Sequence, residues 1–474
     1  VSAKKKKQLD YFFSPGNVAV VGASEHPESI GRAIFENFLK GRFCIPSDKN
    51  FCQNVFAVNP NHETVLGAKS YASVLDVPVD LDLAIVIVPA QTVPKVLLEC
   101  IKKKVKAVII ISAGFAEIGN KKLAAELQRI IDKNKRKTRV LGPNCFGVYV
   151  GENGLDTTFS EKQKMKMPKA GTVSFMSQSG ALGVAVLDWA STQEFGICKF
   201  ISYGNAMDLD EADLLDYLKE DDCSKVIAVY IEGVKEGKKL LKIAKQASLK
   251  KPVVVLKGGM FEETHKATAS HTGSLAGSAI VYEALFKQTG IVQAQNLMEL
   301  FYFAKTLASE PLPKGNRVQI ITNGGGYGII TADQVVKNGL ALAKMEEKNI
   351  RELKKALPST VSVSNPMDLV GDADKERYRV AVEKALADKN VDMIIVLVLF
   401  TLPAIDKELV KTLCELKKNS AKPLVVLSIG SQYTEQRKKE LEQGGIVTFK
   451  YPETAARSLK ALGDYAAWLR KNKK

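Results

Sequence analysis

The sequence predicts an α/β protein built from parallel sheets. Short β-branched apolar runs alternate with longer amphipathic stretches from residue 17 onward, the pattern of buried strands separated by helices. Loops rich in glycine, proline and hydroxyl groups follow the ends of those runs, and strands joined through helices form a parallel sheet covered on both faces. The 474 residues exceed what one core holds and correspond to three domains of ordinary size. The expected division is 1–150, 151–312 and 313–474.

NVAVVG (17–22) is the first buried strand. GASEHPESIGRAIFENFL then supplies a loop and a helix whose apolar positions are Ile30, Ala33, Ile34 and Phe38. VFAVNP (55–60), LDLAIVIVPA (81–90), VKAVIIISAGF (105–115) and TRVLGPNCFG (138–147) are four further strands, with a helix from Lys121 to Ile131. Ligands of open parallel sheets bind outside the carboxyl ends of the strands. Gly22, Ser24, Asn59, Pro60, Pro89, Ser112, Gly114, Phe115 and Asn144 therefore converge on one rim. Gly22-Ala23-Ser24 followed by Gly31 lacks the second close glycine of GxGxxG, which disfavours NAD but leaves room for a nucleotide-like ligand. Each such loop taken singly is an ordinary strand–helix turn; five on one rim are a stronger signal.

Residues 148–170 are polar with weak periodicity and are expected to be a linker. A second series begins with GTVSFMSQSGALGVAVLDWAS, a strand entering a helix through Ser177-Gln178-Ser179-Gly180. Free N–H groups and the positive dipole end suit a phosphate there, while a plain N-cap serine is the simpler alternative. Further strands end at Gly204-Asn205, at Glu232-Gly233 and at Lys257-Gly258-Gly259. The last leads into a polar loop carrying His271 among Ser270, Thr272, Gly273 and Ser274, and then into a helical run from Ala279 to Gln288. On the loop alone His271 is a solvated histidine or a phosphoryl-carrying nucleophile. Glu232 sits one strand end away, and a carboxylate on one imidazole nitrogen fixes the tautomer and raises basicity at the other. Without His271 nearby, Glu232 would be a surface glutamate at a strand end.

A Pro/Gly linker, PLPKGNR (311–317), precedes the third series. There Asn323-Gly324-Gly325-Gly326 places backbone amides at a helix start without the Gly-Lys-Ser/Thr of a Walker loop. SNPMDLVGDAD (364–374) is a turn-rich loop, MIIVLVLF (393–400) and KPLVVLSIG (422–430) are buried strands, and a final helix runs from about Glu453 to Leu469.

Hydrophobic residues make up 46% and charged residues 25% of the chain, as in globular soluble proteins. No apolar stretch reaches the roughly 18 residues of a membrane span, and VSAKKKKQLD has no apolar segment after its basic run, so no secretory signal is expected. Seven scattered cysteines without a CxxC point to free thiols in a reducing, cytoplasmic compartment and to no metal site. The net charge of +16 is mostly dispersed lysine. With no nucleic-acid-binding signature, it fits small polyanions or a solvated surface better than nucleic acid.

GAS…GR, AVNP, IVP, SAGFAE, GPNCFG, SQSG, YGN, EG and SHTGSLAG stand in an order that resembles the alpha subunit of ADP-forming (NDP-forming) acetyl-CoA synthetases, or acetate–CoA ligases, of the succinyl-CoA synthetase superfamily. The resemblance extends through NGGGYG and NPMDL in the third series, with SHTGSLAG the most specific motif and GPNC the next. It implies a Rossmann-like CoA-binding domain followed by two flavodoxin-like ligase domains. It implies that acyl-CoA, ADP and phosphate are converted to carboxylic acid, CoA and ATP through an acyl phosphate and a phosphohistidine. His271 would carry the phosphoryl group, oriented by Glu232. Ser177, Gln178, Ser179, Gly180, Asn144, Thr272 and Gly273 would bind phosphate. Gly22, Ser24, Gly31, Asn59, Pro60, Val88, Pro89, Ser112 and Gly114 would line the CoA pocket.

ADP or ATP with Mg2+ would sit on a separate beta subunit bearing an ATP-grasp domain, in an alpha2beta2 heterotetramer, with no role for nucleic acid or membrane. Two features depart from the family pattern: the longer stretch 41–54, and Phe146 where succinyl-CoA synthetases have proline. A succinyl-CoA ligase alpha subunit is disfavoured by the third domain, and a non-catalytic CoA-binding regulatory module by the intact His271 and Glu232. His265, six residues before His271, is the second choice for phosphoryl carrier. His26 and His62 are expected in solvated loops, and Cys145 as a packed turn residue without an adjacent base.

Overall fold

The computed structural model describes residues 7–45, 52–161, 164–193, 196–261, 263, 278–418 and 420–473. The chain divides into two compact units, Val1–Gln293 and Ala294–Lys474. The expected α/β architecture is found as three sheets, all mostly parallel.

The first sheet has seven strands in the order β3-β4-β2-β1-β5-β6-β7. They are β1 (Val18–Val21), β2 (Val55–Val58), β3 (Thr64–Val65), β4 (Ala68–Tyr71), β5 (Leu83–Val86), β6 (Ala107–Ile110) and β7 (Arg139–Leu141). β1 is buried throughout and pairs in parallel with β2 on one side and β5 on the other, Val18 standing opposite both Val55 and Leu83. A strand covered on both faces reads as a continuous apolar run, which is why these strands are visible in the sequence. The strand order reverses at β1, so the crevice at its carboxyl end is the expected ligand position.

Helices α1 (Ile30–Leu39), α2 (Val93–Lys102) and α3 (Lys121–Asn134) connect the strands. The Ser29 side chain caps α1 by accepting from the Gly31 N–H. The buried face of α1 is Gly31, Ile34, Phe35 and Phe38. Ile30, expected on that face, is instead 40% exposed. It sits in the first turn, beyond the reach of the core that Phe35 fills.

The second sheet has six strands in the order β13-β12-β11-β9-β10-β8. They are β8 (Val148–Val150), β9 (Ala170–Ser177), β10 (Ile197–Ser202), β11 (Val226–Ile231), β12 (Val253–Lys257) and β13 (Val292–Ala294). Helices α4 (Gly180–Thr192), α5 (Glu211–Leu218), α6 (Gly237–Lys250) and α7 (Ala279–Thr289) pack on it. The stretch expected as a linker thus opens with a strand: β8 runs antiparallel to β10, with Tyr149 opposite Phe200. One buried apolar cluster continues from β1 and α1 through Cys145, Val148, Met176 and Ile201 into the second sheet.

The second unit is built on β14 (Arg317–Thr322), β15 (Ala341–Leu342), β16 (Met367–Asp368), β17 (Met393–Leu397), β18 (Leu424–Leu427) and β19 (Thr448–Phe449). β14 lies between β15 and β17 and pairs also with β16, all in parallel. Helix α8 (Leu297–Ser309) precedes this sheet and α9 (Gly325–Lys337) leaves β14.

The expectation of free thiols holds for Cys100, Cys145 and Cys414 and is corrected for the other four cysteines, which form the disulfides Cys44–Cys52 and Cys198–Cys223. Their Cα atoms lie 5.2 and 6.0 Å apart, within bridging range. Such pairing depends on the fold and leaves no spacing motif. Among the described residues no helix is long and apolar enough to cross a membrane.

Candidate active site

The predicted rim residues fall into two groups. Gly22, Ser24, Asn59 and Pro60 lie in the turns at the carboxyl ends of β1 and β2, and Gly31 lies in the first turn of α1. Gly22 adopts a left-handed φ of +94°, and a Cβ at Gly31 would lie 1.9 Å from the Gly22 carbonyl oxygen, so α1 seats directly on the turn. Asn59 donates to the Ala23 carbonyl at 2.8 Å and accepts from the Asn61 N–H, tying the second turn to the first. The Ser24 hydroxyl accepts from the N–H of His26, and His26 and His62 are exposed.

The second group shares a cavity of about 690 Å³, in the size range of small-molecule sites. Val88, Pro89, Ser112 and Asn144 enter it from the first sheet, and Gln178, Ser179 and Gly180 from the second. The Ser112 hydroxyl clamps the strand ends by donating to the Val88 carbonyl at 2.6 Å and accepting from the Val88 N–H at 3.1 Å. Gly114 lies beside this cavity with φ +113°. Ile30, exposed on α1, and the edge-to-face pair Phe146–Phe159 (ring centroids 4.6 Å apart) supply apolar wall. Phe146 thus occupies a wall position.

The start of α4 is arranged as the sequence predicts. Ser179 is the N-cap: its hydroxyl accepts from the Leu182 N–H and its carbonyl from the Gly183 N–H. Gly180 and Ala181, whose N–H groups come earlier in the turn, line the cavity. A helix N-terminus of this kind favours an anion. The buried Ser177 hydroxyl donates to the Ser179 carbonyl at 2.6 Å and holds the turn from beneath.

Gln178 does something its motif did not announce. Its Oε1 accepts from the N–H groups of Glu232 (2.7 Å) and Gly233 (3.1 Å), fastening the end of β11 to the start of α4. Glu232 is only 7% exposed. The β11–β12 register sets Ile231 opposite Lys257, so Glu232 stands beside Gly258, where the loop toward His271 departs. His271, Thr272, Gly273 and His265 lie outside the described residues.

Several groups around Glu232 escaped the sequence reading. The Lys257 ammonium donates to the Glu232 carbonyl at 2.8 Å and lies 4.7 Å from the Tyr282 ring centroid. Burial pulls it down to about 8, against the opposing pull of the Glu232 charge. Burial, and then the Asp210 carboxylate, pushes Glu211 up to about 7. Burial and the neighbouring Glu211 and Glu232 raise the Tyr203 phenol well above its ordinary value. Lys257 and Tyr282 are distant in sequence from Tyr203 and Glu211, and the assembled sheet with its helices brings them together.

Lys257 gives a pH prediction. Below pH about 8 the lysine is charged in both folded and unfolded chains, and the fold carries the full cost of the buried ammonium. Between about 8 and its ordinary 10.5 the folded chain sheds the proton while the unfolded chain keeps it, so stability rises with pH. The stability of wild type relative to Lys257→Met, from urea unfolding at pH about 7.5 and about 9.5, is expected to move in favour of wild type at the higher pH. An unchanged difference would mean the ammonium is not held at a cost.

Cys145 lines the cavity, but its thiol donates to the Ile110 carbonyl, and burial pushes its pKa up to about 12, so it stays protonated. In the second unit, Gly324 caps α9 and Asn323 is 2% exposed, its Oδ1 accepting from the Leu399 N–H at 2.9 Å. The Asn323 Nδ2 is buried without a hydrogen-bond partner.

A strand-end cavity shared by two sheets, with the N-terminus of α4 in its wall, is an arrangement open to an anionic cofactor or substrate. Family models match accordingly: a CoA binding domain over residues 16–151, a succinyl-CoA ligase like flavodoxin domain over 170–307 and a ligase-CoA domain over 318–474. The chain is 40% identical over 460 residues to the alpha subunit of the ADP-forming acetate–CoA ligase II of Pyrococcus furiosus, covering 96% of this chain and 97% of that one. It is 38% identical over 463 residues to the ADP-forming acetate–CoA ligase of Methanocaldococcus jannaschii, covering 97% of this chain and 63% of that protein. The solved dinucleotide-forming acetyl-coenzyme A synthetase 1 of Ca. Korarchaeum cryptofilum, in complex with phosphate and ADP, superposes with a TM-score of 0.89 at 35% identity over 98% of this chain and 99% of that one. The chain belongs to the family of ADP-forming acetate–CoA ligase alpha subunits.

Proposed function

We propose that this chain is the CoA-binding and phosphoryl-carrying subunit of an ADP-forming acyl-CoA ligase that interconverts acyl-CoA, ADP and phosphate with carboxylic acid, CoA and ATP. The shared cavity takes the pantetheine arm and acyl group. Phosphate attacks the thioester carbon, the C–S bond breaks, CoA leaves as the thiol, and an acyl phosphate forms. A nitrogen of His271 then displaces the carboxylate from phosphorus, with Glu232 holding the imidazole in the tautomer that frees this nitrogen. The amides at the start of α4 stabilise the charge on the transferring phosphoryl group.

The observation that carries this reading is the buried residue Glu232, whose backbone N–H is tied by the Gln178 Oε1 to the anion-favouring end of α4 and which stands where the chain departs toward His271. Thr272 and Gly273 add phosphate contacts from that loop, and Gly22, Ser24, Gly31, Asn59 and Pro60 shape the nucleotide end of the CoA site. The domains divide at 1–150, 151–312 and 313–474. ADP with Mg2+ is held by an ATP-grasp domain on a beta subunit in an alpha2beta2 assembly. The longer reach of the Methanocaldococcus relative, of which this chain spans 63%, is consistent with a partner supplying the remainder. The assembly works in the cytoplasm, with no nucleic-acid or membrane partner.

The test is to incubate the chain, alone and with its beta subunit, with acetyl-CoA and radiolabelled phosphate and to map acid-labile, base-stable label. Label at His271 is expected. No label in either preparation across several acyl-CoAs would leave a CoA-binding regulatory module in its place.

A further inference from the structure

Glu117 lies outside the cavity, in the short helical turn Ala116–Ile118 that follows β6. One carboxylate oxygen accepts from the N–H groups of Gly114 (2.6 Å) and Phe115 (3.1 Å). The other accepts from the side-chain amide of Asn205 at 2.6 Å, reaching from the first sheet to the turn after β10 in the second. The Asn205 Oδ1 in turn accepts from the Asn144 Nδ2 at 3.3 Å. Both asparagines line the cavity.

We propose that Glu117 is a positioning residue which, through Asn205, sets which end of the Asn144 amide is offered to the ligand. The reasoning is one of donors and acceptors. An ionised carboxylate only accepts, so Asn205 must turn its NH2 toward Glu117. Its carbonyl end then faces Asn144 and takes one of that residue's N–H groups. Asn144 is left with its Oδ1, an acceptor, as the end not committed to Asn205. Burial pushes the Glu117 carboxyl up, but the three donors hold it below its ordinary range, so it is ionised at neutral pH.

The surrounding backbone leaves the amides little choice but their polarity. The Asn144 N–H donates to the Ser112 carbonyl at 3.0 Å, and the Asn205 N–H to the Pro143 carbonyl at 2.9 Å. Gly204, with φ +53°, brings the two turns so close that a Cβ would lie 2.3 Å from the carbonyl oxygens of Pro143 and Asn144. From the other side the Lys235 ammonium donates to the carbonyls of Asn205 (2.9 Å) and Ala206 (3.0 Å). The inference rests on the reading that the cavity receives the pantetheine arm, whose amide N–H groups are the donors an Asn144 oxygen would meet; an acceptor there suits that arm and not the phosphate that the family resemblance assigns to Asn144.

The test reverses the polarity without changing the shape. Glu117→Gln keeps an oxygen for Gly114 and Phe115 but turns an NH2 toward Asn205, which must flip, and Asn144 with it. In the holoenzyme reconstituted with its beta subunit, this variant is expected to raise KM for acyl-CoA about tenfold, with kcat within about twofold. Its melting temperature is expected to stay within about 2 °C of wild type. Adding Asn205→Asp restores an acceptor opposite Asn144 and is expected to bring KM back to within about threefold of wild type. Glu117→Asp, which keeps acceptor-only chemistry, is expected to raise KM less than Glu117→Gln and serves if the double variant does not fold. An unchanged KM in Glu117→Gln would overturn the proposal. So would a rise accompanied by a lower melting temperature, or one that neither companion variant reduces. Failure of wild type to bind CoA in a calorimetric titration would instead remove the cavity assignment, and the proposal with it.

Discussion

Replacing His271 with Ala is expected to lower acyl-CoA-dependent ATP formation by the reconstituted enzyme by about 10³-fold or more, while acyl-CoA binding is unchanged. The imidazole is the proposed covalent way-station of the phosphoryl group, and alanine offers no atom to carry it. The first half-reaction needs only phosphate, thioester and the donors around the cavity, so release of CoA with formation of acyl phosphate should persist. His265→Ala is the control and is expected to retain activity. ATP formation at the wild-type rate in His271→Ala would sink the phosphohistidine route. Loss of activity in His265→Ala with survival in His271→Ala would keep the route and move the carrier.

Gly31→Ala is expected to destabilise the first unit by about 3 kcal/mol and to weaken CoA binding in the fraction that folds. The added methyl would meet the Gly22 carbonyl oxygen at 1.9 Å and its carbon at 3.0 Å. Gly22 cannot retreat, because its own Cα side faces the Ile87 carbonyl oxygen, 2.1 Å from where a Cβ would stand. Relief therefore requires α1 to lift from the turn at the carboxyl end of β1, uncovering Ile34, Phe35 and Phe38. Urea unfolding followed by circular dichroism reads the loss, and a midpoint equal to wild type would show that α1 has room to shift without leaving its seat.

The sheets were legible because strands such as Val18–Val21 and Met393–Leu397 are buried on both faces and spell uninterrupted apolar runs. The β3–β4 hairpin was not legible. Thr64-Val65 and Ala68-Lys69-Ser70-Tyr71 are too short to show a period, Lys69 and Ser70 fall side by side, and the pair lies at the edge of the sheet. β8 was hidden for a related reason: three residues, Val148–Val150, do not outweigh the polar chain that follows. At the site, Ser179 and Glu232 could be picked out because a strand end and a helix start have local signatures. Gln178 was placed by its motif, but its grip on the Glu232 and Gly233 amides depends on β9 lying beside β11. Glu117 and Asn205 stand 88 residues apart, on different sheets. SAGFAE and YGN marked both neighbourhoods, and nothing short of the assembled rim joins them.

The residues between β7 and β8, 142–147, have a consequence for recombination. They are the covalent joint between the first two sheets, and Asn144, Cys145 and Phe146 within them are cavity wall. A splice placed in this joint to exchange CoA-binding modules between related ligases would transplant part of the wall along with the module. Its Asn144 would then meet an Asn205 inherited from the other parent. Chimeras of this architecture should therefore be tracked by three separated segments, the turn after β6, the joint and the turn after β10, inherited together as one block. Interchangeability in this lineage is then a property of that block, and not of the domain that a boundary drawn between sheets would suggest.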